Sequence, residues 1–406
     1  MGGREVRPLG RLIPLAEAKT LVDANIRPIE RTERVRLESL LHRVLAEEVH
    51  SIIDVPPYDR SAMDGYAVRA KDTFSAGKFQ PVELDCVGVV NAGEVPKKEV
   101  SKGKCVQIAT GAMIPKGADA VVMVENTERS GKKVQIFRSV PPWSNVSKMG
   151  EDIKRGTMVL GPGDVLTPSK VGVLAALGII GVKVYSRPNV SVIPTGDEVA
   201  EVGTELRKGQ VYDINSHTIS SILNENGCVP ILHNVVEDTA EALTGALQDA
   251  SDSDMIVLSG GSSAGERDVL EGVVSKLGKV IFHGVQIKPG KPTIFGVIGE
   301  APVFGMPGYP TACLTNGYVF LLPTARRMAR LPPKRDIIQT LPLAKKYAAD
   351  LGRHQFLTVK IKDGEAHSVF KESGTITSIA NADGWIEIPP NVDLIDKGAM
   401  VDVHLF

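Results

Sequence analysis

Apolar and polar positions along the chain follow three successive rhythms. In residues 14–26, apolar side chains recur at helical spacing behind Pro14, which predicts an amphipathic helix. Residues 35–49 repeat that pattern, so a second helix is expected there. From residue 51 to about 145, short β-prone runs are interrupted by Gly and Pro, which predicts a small β-rich module.

From residue 189 to about 328 the pattern changes to strand, loop and helix. It predicts strands at 189–193, 229–235, 255–258 and 301–305, and helices at about 215–226, at about 239–250 and from 311. Because strands and helices alternate, we expect a parallel sheet with helices on both faces. Beyond a stop at 331–333, the apolar runs at 356–361, 386–388 and 400–405 predict a compact β domain. The fold class is therefore α/β plus β, in several domains.

Composition narrows the class of protein. A chain of 406 residues is too long for one ordinary core, so two to four domains are expected. The net charge of −1 gives no overall attraction to nucleic acid or to an anionic membrane. The longest apolar stretch, 171–182, is too short to span a bilayer, and residues 1–10 do not resemble a secretory signal. The four cysteines are widely spaced, which predicts reduced thiols in a cytoplasmic protein.

Glycine and carboxylate residues follow three of the predicted strands. Gly260 and Gly261 come after the strand at 255–258, and glycines there let backbone N–H groups approach a phosphate. Glu266 and Asp268 are then placed to hold a divalent cation beside that anion. Taken alone, this segment is equally consistent with a plain connecting loop. Similar residues follow two other strands, at 194–198 and 306–310, and ligands of α/β sheets bind beyond carboxyl strand ends.

Seven ordered motifs resemble the molybdopterin molybdenumtransferase family, which includes the MoeA proteins and the gephyrin E domain. They are Pro56–Ala70, Gln107–Glu125, Pro194–Glu198, Tyr212–Ser216, Ser259–Asp268, Lys288–Pro292 and Met306–Pro310. The resemblance runs from about residue 10 to the carboxyl terminus. It implies that the chain uses molybdate, or tungstate, to convert adenylylated molybdopterin into molybdenum cofactor, with Mg²⁺ and release of AMP. Molybdate and tungstate are tetrahedral dianions of nearly equal size, so the sequence does not decide between them.

The resemblance also implies an elongated homodimer in which each subunit has four domains. These are domain I at 1–50 and 146–186, the β-rich insert (domain II) at 51–145, a doubly wound MogA-like α/β domain III at 187–331, and the C-terminal β domain IV at 332–406. Domain II of one subunit would complete the site on domain III of the other. The adenylyltransferase of the same pathway is a candidate partner.

The motifs carry site residues over from the family. Catalytic roles fall to Asp59, Thr110, Glu198, Asp268 and Lys288, and Glu198 and Asp268 would hold Mg²⁺. Substrate-binding roles fall to Ser61, Asp64, Thr195, Asp213, Asn215, Ser216, Asp238, Gly260, Gly261, Ser263, Lys291, Pro307, Gly308, Pro310, Arg353 and Ser373. A helix cap explains Asn215 and Ser216 equally well, and a helix N-terminal acid explains Asp238 equally well. A pair of solvated surface lysines is the alternative for Lys288 and Lys291.

The chain departs from the family pattern at two places. The family commonly has Arg two residues after Asn in the segment before Asp152, but here Lys148 is the only cation after Asn145. His42 stands where Gly is usual, which we interpret as a structural difference. Two other functions compete. One is a non-catalytic molybdopterin-binding scaffold of the gephyrin type. The other is a nucleotide pyrophosphatase that shares only the α/β domain, which the motifs outside that domain disfavour.

Overall fold

The computed structural model describes residues 12–260, 267–371 and 375–406. By the density of internal contacts the chain divides into two compact units. Unit 2 comprises residues 34–41 and 45–184. Unit 1 comprises the described residues up to 33, residues 42–44 and the described residues from 185 onward.

The first helix, α1, spans Leu15–Ala24, as the helical spacing predicted. The strands that follow are β1 Thr32–Arg36, β2 Val49–His50, β3 Arg60–Ser61, β4 Gly65–Val68, β5 Val82–Val90, β6 Lys104–Ile108, β7 Ala120–Met123, β8 Thr127–Ser130, β9 Lys133–Ile136, β10 Val146–Ser147, β11 Met158–Leu160 and β12 Gly181–Tyr185. Helix α2 spans Pro168–Ala176. Strands β4 to β9 form one sheet in the order β7-β4-β6-β5-β9-β8, which is the β-rich module expected from the sequence.

The helix predicted at 35–49 is wrong. Strand β1 runs into a single 3-10 turn at Leu37–Ser39, and His42 then adopts a φ of 61°. A helix cannot continue through a left-handed residue. The backbone N–H of Ala46 instead donates to the carbonyl oxygen of Lys183, in strand β12, at 2.9 Å. The apolar residues that suggested a helix, such as Leu40 and Leu45, are fully buried from this extended path, so tertiary pairing overrides local propensity.

A six-stranded sheet forms the centre of unit 1. This sheet and the elements next to it in the chain comprise β13 Asn189–Thr195, β14 Val199–Ala200, β15 Val211–Tyr212, α3 Asn215–Glu225, β16 Val229–Leu232, α4 Ala240–Asp249, β17 Met255–Gly260, α5 Arg267–Leu277, β18 Lys279–His283, β19 Ile287–Lys288, β20 Ile294–Ile298, β21 Ala301–Met306, α6 Pro310–Asn316 and α7 Leu322–Met328. The strand order is β16-β13-β17-β21-β20-β18. The first four strands are parallel, as predicted, whereas β20 and β18 add an antiparallel edge that was not predicted.

Both faces of this sheet are covered by helices, as the sequence predicted. Along β17, Met255 and Val257 belong to the cluster that contains residues of α1, α3, α6 and α7. Ile256 and Leu258 point the other way and join residues of α4 and α5. Successive residues of a strand face opposite sides, so a fully apolar strand needs two apolar layers.

The remaining strands form the predicted β domain. They are β22 Ile338–Pro342, β23 Tyr347–Ala348, β24 His354–Lys362, β25 Glu365–Ser368, β26 Gly384–Ile388, β27 Leu394–Ile395 and β28 Met400–Leu405, with the short helix α8 at Thr377–Ala380. Strand β19 also belongs to this sheet, in the order β19-β24-β26-β28-β22.

Within the described ranges, no helix combines the length and the apolar character needed to cross a membrane.

Candidate functional site

The candidate site of unit 1 lies at the edge where parallel strands end. Strands β13 and β17 are in register, with Thr195 opposite Gly260. On the other side of β17, Ser259 lies opposite Met306 of β21. Three of the predicted segments therefore leave the sheet side by side, at the edge where α/β proteins bind ligands. We call this the strand-end edge.

Gly260 brings two backbones into close contact at this edge. Its φ is +144°, and a Cβ atom there would lie 1.7 Å from the carbonyl oxygen of Thr195. Only glycine fits both the conformation and the approach. The glycine at the end of β17 is thus required by the packing of β13 against β17, apart from any contact with a phosphate.

The segment 288–292 reaches the same edge from the antiparallel strand. Because β20 runs opposite to β21, its first residue, Ile294, lies opposite Gly305 near the end of β21. The preceding turn is fixed to helix α6 by Asn316, whose Nδ2 donates to Gly290 O at 3.0 Å. Thr293 Oγ1 donates to the same oxygen at 2.9 Å. A Cβ at Gly290 would lie 2.2 Å from Asn316 Oδ1, so this turn also needs glycine.

The start of helix α3 is joined to the loop after β21. Asn215 Nδ2 donates to Gly308 O at 2.8 Å, and Asn215 Oδ1 is buried without a partner among the described residues. Asp213 accepts from Ser216 N at 3.0 Å and from the Ser216 hydroxyl. Asp213 therefore caps the helix, with Ser216 as its donor, while Asn215 fixes the loop that contains Pro307. The predicted role of Asn215 and Ser216 as helix caps is wrong, because the accepting oxygens belong to Asp213.

The carboxylates of the predicted metal site are only partly described. Glu198 is exposed. Its Oε2 atom would lie 3.0 Å from a Cβ atom placed on Gly196, so its carboxylate folds back toward that glycine. Gly261, Ser263 and Ser373, together with Glu266 and the side chain of Asp268, lie outside the described residues. Among the side chains that are described, no group of three or more His, Cys, Asp or Glu is arranged to hold a metal ion. Carboxylate oxygens nevertheless suit Mg²⁺.

Asp238 precedes helix α4 and lies close to the strand-end edge in the chain. Val236, two residues earlier, forms a parallel bridge with Thr195. Thr239 caps the helix, because its Oγ1 accepts from Ala242 N at 3.2 Å. Asp238 is thus not the capping residue, although its position beside the helix N-terminus still favours a negative charge there.

Lys288 pairs with a carboxylate that the sequence did not single out. Its Nζ lies 2.7 Å from Asp350 Oδ2, and both side chains are partly exposed. The hydrogen bond from Lys288 holds the pKa of Asp350 below its ordinary value, and the charge of Arg353 acts in the same direction. Lys288 therefore contacts a carboxylate whose pKa the charge of Arg353 also lowers. Lys291 is half-buried, in the turn that Asn316 holds.

Two polar residues at this edge were missed by sequence reasoning. Thr311, one residue after Pro310, is fully buried and donates to Thr375 O at 2.7 Å. Asn316 is fully buried as well. Helical spacing predicted α6, but only the packing of α6 against the turn at 288–292 shows that Asn316 faces that turn.

The four candidate residues of unit 2 lie in one cluster of loops. Asp59 Oδ1 accepts from Met149 N at 2.8 Å, and Asp64 Oδ1 accepts from Thr110 N at 2.7 Å. Ser61 is buried and donates to Met63 O at 2.5 Å, so its hydroxyl is used within the loop. Of the four, Asp64 and Thr110 are exposed and Asp59 is half-buried.

Lys148 lies beside this loop cluster. Its Nζ is 4.4 Å from the centre of the Trp143 ring, in a cation–π contact. Trp143 has a φ of 68° and Asn145 a φ of 56°, so the segment is tightly turned. Lys148 keeps a cation in the segment where the family commonly has Arg.

A separate cavity of about 750 Å³ lies elsewhere in unit 1. It is lined by residues that include Lys19, Arg326, Trp385 and Phe406, and by none of the candidate site residues. Its size alone therefore does not indicate where the chemistry takes place.

Family models match along most of the chain. The model of the MoeA N-terminal region (domain I and II) matches residues 13–178, that of a probable molybdopterin binding domain matches 191–327, and that of the MoeA C-terminal region (domain IV) matches 340–406. The chain belongs to the MoeA family. The resemblance seen in its seven motifs is thereby confirmed.

Individual MoeA relatives align over three quarters of the chain or more. The chain is 35% identical to a putative molybdopterin biosynthesis protein of Methanocaldococcus jannaschii, over 97% of this chain and 98% of that one. It is 38% identical to the molybdopterin molybdenumtransferase of Haemophilus influenzae, over 77% of this chain and 78% of that one. A solved MoeA structure from Pyrococcus horikoshii has a TM-score of 0.81 at 34% identity and covers 98% of this chain and 100% of that one. The predicted α/β plus β fold class is confirmed.

Proposed function

We propose that this MoeA-family chain is a molybdopterin molybdenumtransferase of molybdenum cofactor biosynthesis. It would insert molybdate, or tungstate, into adenylylated molybdopterin and release AMP, in the cytoplasm. The main support is the strand-end edge, where antiparallel β20 brings the segment 288–292 beside the ends of β13, β17 and β21. Curated relatives that are 38% and 32% identical bear the name molybdopterin molybdenumtransferase.

The reaction requires positive charge and hydrogen-bond donors. Breaking the bond between AMP and the molybdopterin phosphate leaves negative charge on both phosphates, and the incoming oxyanion adds two more charges. Lys288, Lys291 and Arg353 would balance that charge, and the Thr195 hydroxyl would donate to an anionic oxygen. An anion bound by these side chains at the strand ends would also be within reach of the backbone N–H groups there.

Mg²⁺ would be held by Glu198 and Asp268. The exposed Glu198 carboxylate supplies the hard oxygen ligands that Mg²⁺ prefers. When bound, Mg²⁺ supplies a positive charge that stabilises negative phosphate oxygens. Asp238 is a further carboxylate near the strand-end edge, because Val236, two residues before it, forms a bridge with Thr195.

A homodimer would complete the site. The loop cluster with Asp59, Ser61, Asp64 and Thr110 belongs to unit 2, whereas the strand-end edge belongs to unit 1. In the proposed arrangement each loop cluster acts on the strand-end edge of a second copy. An adenylyltransferase would supply the adenylylated substrate.

Release of AMP is the assay that tests this function. The purified chain is incubated with adenylylated molybdopterin, Mg²⁺ and molybdate, and AMP is measured. Glu198→Gln should lower the rate by about a hundredfold, because it removes a charged metal ligand. Glu205→Gln, at an exposed position a few residues along, is the matched control and should leave the rate unchanged.

Two outcomes would contradict the proposal. If the chain binds molybdopterin tightly but releases no AMP with any oxyanion, it is a scaffold. If it cleaves dinucleotides that lack molybdopterin equally fast, it is a nucleotide pyrophosphatase.

A further inference from the structure

Asp350 is held in a defined position beside Lys288. Gln355 Nε2 donates to the Asp350 carbonyl oxygen at 3.0 Å, and Gln355 is only 2% exposed. Gln355 is also the register partner of Lys288 in the pairing of β19 with β24. The Asp350 backbone is therefore fixed by the same strand pair that carries Lys288, so their 2.7 Å contact follows from the fold.

The ion pair itself contributes little to the stability of the fold. Its two side chains are 35% and 49% exposed, and exposed pairs of this kind are screened by water. The lysine ammonium has three donors, of which the carboxylate uses one. An anion can therefore share Lys288 with Asp350, but it must then approach a negative charge.

We propose that Asp350 sets the affinity of the Lys288 site for oxyanion dianions, by placing a fixed negative charge beside the ammonium group that binds them. This inference rests on the proposed function, because it requires Lys288 to bind the oxyanion. Asp350 acts as a specificity-determining residue that weakens the binding of dianions more than that of monoanions. A bound molybdate then stays exchangeable and can be passed to the molybdopterin substrate.

The ionised state of Asp350 supports this role. The hydrogen bond from Lys288, and the nearby charge of Arg353, lower the pKa of Asp350 from its ordinary value. The carboxylate is accordingly charged throughout the neutral pH range. Its repulsion of an anion scales with the charge of that anion.

Titration calorimetry with two tetrahedral anions tests the inference. Sodium molybdate supplies a dianion and sodium perrhenate a monoanion, each titrated into the full chain and into Asp350→Asn. The variant should bind molybdate roughly tenfold more tightly and perrhenate roughly threefold more tightly, because Coulomb repulsion is proportional to ligand charge. Asp396→Asn is the matched control, since Asp396 forms another exposed pair, with Lys346 at 3.8 Å. It should leave both affinities unchanged.

Three results would overturn the inference: an unchanged or weaker affinity of Asp350→Asn for molybdate, equal gains for the two anions, or no binding of molybdate to either protein. Thermal unfolding of each variant shows whether it is folded. The AMP assay on the unmodified chain decides the proposed function separately. Release of AMP together with any of these three results rejects only the role of Asp350.

Discussion

Single residues at the strand-end edge are constrained by backbone contacts that a sequence does not display. The motif around Gly260 predicted a glycine cradle, but the 1.7 Å distance from its absent Cβ to the Thr195 oxygen gives that glycine a packing role. Asn316 and Asp350 were not predicted, because nothing in their local sequence indicates that they face Gly290 and Lys288. Lys288 itself was predicted from its motif.

Gly260→Ala should destabilise the chain strongly. The new methyl group collides with the Thr195 carbonyl, so strands β13 and β17 must separate or the backbone must strain, at a cost of about 3 kcal/mol in the free energy of unfolding. Gly245→Ala is the control, because Gly245 lies within helix α4 with open space around its Cα. That variant should gain about 0.5 to 1 kcal/mol. Urea unfolding measures both, and equal effects would refute the packing role of Gly260.

At the scale of elements, prediction succeeded where hydrophobic pattern and tertiary structure agree. Helix α1 and strands β13, β17 and β21 lie close to their predicted positions because their apolar residues face layers on the expected sides. The segment 35–49 has helical spacing, yet it pairs with β12 and turns at His42. Its apolar residues reach the core from an extended backbone, and spacing alone cannot distinguish the two.

Asn316→Ala should impair activity more than its effect on stability explains. Loss of the bond to Gly290 O releases the turn from α6, so Lys288 is held less firmly and the rate of AMP release should fall about tenfold. The free energy of unfolding should fall by about 2 kcal/mol. Asn226→Ala removes another buried Asn, at the end of α3, which bonds to Ile222 O at 2.8 Å. It should cost similar stability and leave the rate unchanged. A similar loss of rate in both variants would show a general effect of destabilisation.

His354 of β24 and Glu387 of β26 are in hydrogen-bond contact, with His354 Nε2 3.0 Å from Glu387 Oε2, and this contact should make the β domain sensitive to acid. The hydrogen bond from His354 lowers the pKa of Glu387, against the opposing effect of burial. A carboxyl group with a lowered folded pKa stabilises the fold above its unfolded pKa of about 4.3 and loses that contribution as the pH falls through the folded value. Urea unfolding between pH 7 and pH 3 should show about 1 kcal/mol more loss for the unmodified chain than for Glu387→Gln. Parallel curves for the two proteins would contradict this assignment.

The whole molecule distributes its candidate residues over two compact units. The loop cluster with Asp59 belongs to unit 2, and the strand-end edge with Glu198 belongs to unit 1. The domain boundaries and the homodimer remain predictions, since they rest on the family resemblance. The family could be recognised from sequence, because seven short segments in a fixed order identify it. The arrangement of those segments in space cannot be read from the sequence.

Mixing two inactive variants tests whether the units of two copies act together. If Asp59 acts on the site of a second subunit, Asp59→Ala and Glu198→Ala should each be inactive alone. After unfolding and refolding together, about half of the dimers should contain both chains, and each of those has one intact site, so roughly a quarter of the AMP-release rate should return. Refolded Asp59→Ala alone serves as the control. No recovery in refolded, dimeric mixtures would place all catalytic groups of a site on one chain.

Strand β17 has a consequence for how the sheet opens. It is bonded to parallel neighbours on both sides and covered by helices on both faces. Amide hydrogens of Met255–Leu258 should therefore exchange with deuterated solvent only through global unfolding, whereas those of the exposed edge strand β16 exchange by local fraying. Gly260, which contacts the Thr195 carbonyl oxygen at close range, is thus anchored in the segment of the sheet that should open most slowly, and this keeps the strand-end edge in place.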